Sequence, residues 1–164
     1  MRATEATEVE PALREIIAGR LDPSRPGGYG WLLELLGRVH GTPLGSVVLP
    51  GRGWHQLEDV FRACGLTELS ELWGRAWPFP WRTDLSDAGP WPFPMLVPHA
   101  DLHRVQAELS GFETELLDAH HDLLPGGDDD VEDVSWLIEK NLPVWVEAAL
   151  TEGRDLLLLR DGGR

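Results

Sequence analysis

Apolar residues recur every three or four positions along most of this chain, and no other feature constrains the fold as strongly, because only an α-helix gathers such positions on one face. Val9, Leu13, Ile16 and Ile17 make one stripe, with Pro11 suited to a first turn and Gly19 to the exit. Trp31, Leu32, Leu35, Leu36 and Val39 make a second, entered through the flexible Pro26-Gly27-Gly28 and left at Gly41. Trp54, Leu57, Val60, Phe61 and Cys64 share a face of a third helix closed by Gly65. A fourth starts at Thr67, a good N-cap, and runs through Leu69, Leu72, Trp73 and Ala76 toward Pro78.

The stretch after Pro98 keeps the same spacing through Leu102, Val105, Leu109, Phe112, Leu116, Ala119 and Leu123. It predicts one long helix whose weak point is Ser110-Gly111, ended by Pro125-Gly126-Gly127. Asp128, Asp129 and Asp130 then precede Val131, Val134 and Ile138, where carboxylates suit the positive end of a helix. Pro143 opens a last helix with Leu142, Trp145, Val146, Ala149 and Leu150 inward and Gly153 at its end.

Two stretches read as strands, Ser46 to Leu49 and Asp155 to Arg160, enough for a small two-stranded ribbon stable only when packed on helices. The interruption is 77–98, where Trp77-Pro78-Phe79-Pro80 returns as Trp91-Pro92-Phe93-Pro94. Prolines at alternate positions forbid regular helix and favour extended chain. The expected fold is therefore mainly α: a compact bundle of about six amphipathic helices carrying a Trp/Pro-rich extended arm and a two-stranded ribbon. At 164 residues it is read as a single globular domain, 1–164, with residues 1–8 expected to fray.

The charge pattern limits partners. Twenty-eight acidic side chains against 14 basic ones give a formal charge of −14, spread along the chain, a field that repels nucleic-acid phosphates and steers basic partners inward. Arginine dominates the basic residues, Lys140 being the one lysine. Cys64 is the single cysteine, so no internal disulfide can form, and the first residues hold no long apolar run of the kind that spans a membrane. These features point to the cytoplasm, without membrane or nucleic-acid association.

Eight tryptophans are the oddest feature of composition. Trp31, Trp54, Trp73 and Trp145 lie on apolar stripes and read as core, and Trp77 ends one. Trp81, Trp91 and Trp136 have no such explanation, and Trp136 falls on the side of its helix opposite Val131, Val134 and Ile138. Together with Trp77, Phe79, Phe93 and Arg82 they could form an aromatic wall for a ligand or a partner; an arm strapped over the core by its rings is the plainer reading.

Other candidates are weaker. His99 and His103 are four apart and could serve as acid or base, while Asp118-Ala119-His120-His121-Asp122 lies farther along the same stretch. On a straight helix His103 and His121 would stand about 27 Å apart, so they could share an ion only if the helix broke at Ser110-Gly111; no metal and no cofactor is expected. The turn Pro50-Gly51-Arg52-Gly53 could hold an anion at Arg52 and Gly53, but lacks both the dinucleotide glycine pattern and the Gly-Lys-Ser/Thr of a P-loop. A calcium loop starting at Asp128 would need glycine at its sixth position, where Asp133 stands. There is no Gly-x-Ser-x-Gly, and Cys64 sits on an apolar stripe where a thiol is inert.

Three pieces, Tyr29-Gly30-Trp31-Leu32-Leu33-Glu34-Leu35-Leu36, Phe93-Pro94-Met95-Leu96, and Trp145-Val146-Glu147-Ala148-Ala149 with Gly153-Arg154-Asp155-Leu156, resemble an actinobacterial domain family of unknown function. Those motifs are a helix and a helix-to-strand ending, so the resemblance carries over no catalytic residue. Two functional readings remain: a non-catalytic interaction protein, of accessory or immunity type, that binds another protein through displayed aromatics; or a small-molecule enzyme or ligand-binding protein with a Trp-lined pocket and a histidine acid or base.

Overall fold

The computed structural model describes residues 3–18, 26–47, 56–73, 94–124 and 126–159. Helix dominates them, joined by one small antiparallel ribbon. The chain divides into two compact units. Among the described residues the first holds 3–18, 26–43, 94–96 and 157–159, and the second holds 44–47, 56–73, 97–124 and 126–156.

In the first unit α1 (Ala3–Ile17) packs on α2 (Pro26–His40). Both helices begin earlier than their apolar stripes suggest. Backbone helix starts at Ala3, inside the stretch expected to fray, so Pro11 lies in the helix interior and not in its first turn. Pro26-Gly27-Gly28 is the first turn of α2 and not a flexible lead-in, since the fixed φ of Pro26 suits a helix start. Gly41 ends α2 as expected, its N–H reaching the Gly37 carbonyl at 2.8 Å. The stripes are only partly covered: Ala12 and Leu32 are buried, whereas Leu13, Ile17, Leu36 and Val39 are exposed. The ribbon pairs β1 (Pro94–Val97) with β2 (Leu156–Leu159), most of it in this unit. A side chain at Gly37 would meet Leu157 and Leu159 at ordinary contact distance, so α2 and β2 lie close together there.

β2 falls where the sequence places it; its partner does not. Ser46 and Val47 form no strand, and residues 48 and 49 lie outside the described residues. The partner is Pro94–Val97, the end of the proline-rich stretch, where Pro94 opens the strand and three apolar residues follow.

The second unit holds most of the core. α3 (Leu57–Ala63) and α4 (Thr67–Trp73) pack together through Leu57, Val60, Phe61, Leu69, Leu72 and Trp73, with Phe61 and Trp73 edge to face at 5.2 Å. Between them Gly65 adopts φ +77, the Leu66 N–H reaches back to Phe61 O and the Gly65 N–H to Arg62 O, a Schellman ending that also buries Leu66 beside the helix it closes. Gly153 ends α8 (Leu142–Glu152) in the same way: φ is +64, with Arg154 N–H to Ala149 O and Gly153 N–H to Leu150 O.

Thr67 is not the N-cap of α4 but its first residue. The cap comes from α5 (His99–Ser110), whose Glu108 carboxylate accepts the N–H groups of Glu68 at 2.8 Å and Leu69 at 3.2 Å. The long helix predicted after Pro98 breaks at its weak point. Ser110 Oγ bonds back to the Gln106 carbonyl, the Gly111 N–H is shared between Ala107 O and Glu108 O, and Glu113 is extended before α6 (Thr114–Ala119) begins. The break resets the inward register, so Leu102, Val105 and Leu109 are buried before it, and after it Leu117 is buried while Leu116 is exposed. A single 3₁₀ turn, His121–Leu123, follows.

α7 (Asp128–Trp136) and α8 are separate in sequence pattern but continuous in space. A π-helical turn, Leu137–Asn141, joins them, and the Leu142 N–H reaches five residues back to the Leu137 carbonyl. Pro143 therefore sits inside a helical run and does not open a new one. It offers no N–H and its ring presses on the carbonyl four residues before it, and the wider turn relieves both conflicts. The inner side of the run buries Val134, Leu137, Ile138, Leu142, Trp145, Val146 and Ala149, and α8 packs on α5.

Candidate functional site

The run 128–152 has a continuous outer side. Glu132, Trp136, Lys140, Val144, Glu147 and Thr151 are all exposed, four residues apart but for one step of three. In an unbroken α-helix, positions four apart drift around the axis, and those eight apart no longer share a face. The extra residue of the π turn takes up this drift, so that Trp136 and Val144 stand on the same side, about 12 Å apart at 1.5 Å per residue. Trp136 is 59% exposed and Val144 60%, two large apolar side chains with Lys140 between them. The expectation that Trp136 points away from Val134 and Ile138 agrees with that exposure.

Polar contacts hold this part of the helix in place. Asn141 Nδ2 donates to the Trp136 carbonyl at 3.1 Å, supplying a donor at the turn. The Glu139 carboxylate accepts hydrogen bonds from the Thr114 hydroxyl at the start of α6 and from the Ser135 hydroxyl at 3.4 Å, with Lys140 Nζ 3.5 Å away. The Thr114 bond is the main cause that holds the Glu139 carboxyl below its ordinary range; partial burial pushes the other way, and Lys140 and Ser135 add to the lowering. At the beginning of α7 the buried Asp130 carboxylate accepts the Gly126 N–H at 2.7 Å, which fixes the turn that launches the run. Gly127, at φ +66, needs the conformational freedom of glycine at that point.

The other candidates are dispersed. His99 is half-buried at the first turn of α5, where its backbone N–H donates to Asp155 Oδ1 at 2.7 Å, and His103 is exposed one turn on. An open recess of about 330 Å³ is lined by Asp118, His121, Asp128 and Val131, and His121 Nδ1 lies 3.0 Å from the Asp118 carbonyl. Although the helix does break at Gly111, among the described residues no three of His, Cys, Asp or Glu converge to hold a metal ion. Cys64 is buried, which pushes its thiol pKa up and away from nucleophilic use. Of the tryptophans read as core, Trp73 and Trp145 are buried and Trp31 is half-buried. Trp54, Trp77, Phe79, Trp81, Arg82, Trp91 and Phe93, with Arg52 and Gly53, lie outside the described residues.

Sequence reasoning missed Thr114, Ser135, Glu139 and Asn141. The available signal was Pro143 inside an apolar pattern with no gap before it, a proline that must be accommodated by widening the helix or by ending it. Among the described residues, no helix is long and apolar enough to cross a membrane. No protein family, curated protein or solved structure matches the chain.

Proposed function

We propose that this chain is a non-catalytic, cytoplasmic binding module, an acidic accessory or immunity-type partner, that engages another protein through the outer side of the helical run 128–152. The observation that carries the reading is Trp136. A tryptophan ring left 59% in water costs solubility and adds nothing to the core, yet the backbone that presents it is fixed by Asn141 and by the π turn. A large rigid ring with apolar area and an N–H donor is the residue type that most often dominates protein interfaces, and Val144 extends the apolar patch on the same side.

The test is quantitative co-purification from the source cells with the wild-type chain and with the Trp136→Ala and Val144→Ser variants, each checked for native circular dichroism. A partner retained by the wild type and lost from both folded variants supports the reading. A partner retained equally by all three rules out this face.

A further inference from the structure

We infer that the partner of this face is a basic segment carrying two apolar anchors about 12 Å apart, an inference that rests on the binding role proposed above. The charges around the two exposed apolar residues carry the argument. Residues 126–156 hold nine carboxylates against two cations, Lys140 and Arg154. Along the outer side the order is Asp129 and Glu132, then Trp136, Lys140 and Val144, then Glu147, all exposed. The apolar pair is thus bracketed by acid at both ends, with one cation at its centre. A complementary surface has arginine or lysine outside two apolar side chains and an acidic or neutral position between them. On a partner helix such anchors lie seven or eight residues apart, two turns along one face.

The same pattern argues against a second copy of this chain as the occupant. A two-fold pairing that sets Trp136 of one copy on Val144 of the other is centred on Lys140, so it brings Lys140 against Lys140 and Glu147 against the Glu132-Asp133 turn. Both contacts are like-charged, within a molecule whose formal charge is −14.

The experiment pans a phage-displayed library of random peptides, each long enough for four helical turns, on the full chain, with counter-selection on folded Trp136→Ala and, separately, on folded Val144→Ser. Selected peptides rich in Arg and Lys, with two apolar residues seven or eight apart, are the expected result. Their affinity, read by fluorescence anisotropy, should fall about tenfold or more when salt is raised to about 1 M, where the screening length is ~3 Å. Trp136-dependent peptides that are acidic or uncharged, or that bind independently of salt, overturn the basic-partner inference and leave the binding role standing. Concentration-dependent dimerisation of the wild type that Trp136→Ala abolishes also overturns it, in favour of a second copy. If no peptide depends on Trp136 or Val144, both the inference and the binding role fall.

Discussion

The carboxylate of Glu108, on α5, accepts the backbone N–H of Glu68, on α4, at 2.8 Å, and so caps a helix forty residues earlier in the chain. The second oxygen takes the Leu69 N–H at 3.2 Å, so one side chain satisfies two of the donors that a helix start leaves open. Glu108→Ala should cost about 1–2 kcal/mol of unfolding free energy in urea, the usual range for loss of a cap. A change within a few tenths of a kcal/mol would show that water replaces the carboxylate without loss.

Gly45 and Gly111 should respond to alanine with opposite sign. Gly45 has φ +144, and a Cβ there would stand 3.2 Å from Trp145 Nε1, the atom that donates to the Leu44 carbonyl at 3.2 Å. Gly45→Ala should therefore destabilise by about 1–3 kcal/mol. Gly111 has φ −97 and nothing nearer than 3.7 Å, so Gly111→Ala should be neutral or stabilising by up to about 1 kcal/mol. Thermal unfolding of the two variants side by side checks both.

Tryptophans on the two sides of the fold should separate by size of effect. Trp73 is 3% exposed and lies edge to face with Phe61, and Trp73→Ala should cost about 3–5 kcal/mol. Trp136→Ala should stay within about 0.5 kcal/mol of wild type. A large loss at Trp136 in urea unfolding would mean that its ring supports the fold, and the proposed binding face would fail with it.

The lowered pKa of Glu139 sets the direction of a pH effect. Because the folded-state value lies below the ordinary 4.5, the ionised form stabilises the fold above that value, and the contribution is lost as pH falls through the lowered folded value. Thr114→Val removes the main cause of the shift. The Glu139 carboxyl should then titrate nearer its ordinary value by carbon-detected NMR, and the acid-unfolding midpoint should move to higher pH. Superimposable titrations of the variant and the wild type would contradict this account.

Features that depend on neighbours in sequence were legible, and those that depend on distant ones were not. Gly65 and Gly153 announce helix ends because a left-handed residue is required there and glycine supplies it without strain. The weak point at Ser110-Gly111 was visible, but whether it bends or breaks the helix depends on what Leu117 packs against, which periodicity does not contain. Pairing of Pro94–Val97 with Leu156–Leu159 joins segments some sixty residues apart, and Ser46 to Leu49 offered an equally apolar run. The same limit hid the Glu108 cap. At the candidate site, the exposure of Trp136 could be read from its place on the helical wheel. Its alignment with Val144 could not, because that alignment comes from the π turn, and a wheel drawn at a constant angle per residue puts the two on different faces.

The π turn also fixes how this stretch of chain can change. Substitutions on the outer side leave the geometry alone, but deleting a single residue between Leu137 and Asn141 restores ordinary α spacing and turns everything downstream by about 100° about the helix axis. Trp145, Val146 and Ala149 would swing out of the core, and Val144 would leave the line of Trp136. A variant lacking Asn141 is therefore expected to be far less stable than any variant substituted at the same position. Length, more than residue identity, is what this segment must keep for core and outer face to remain in phase.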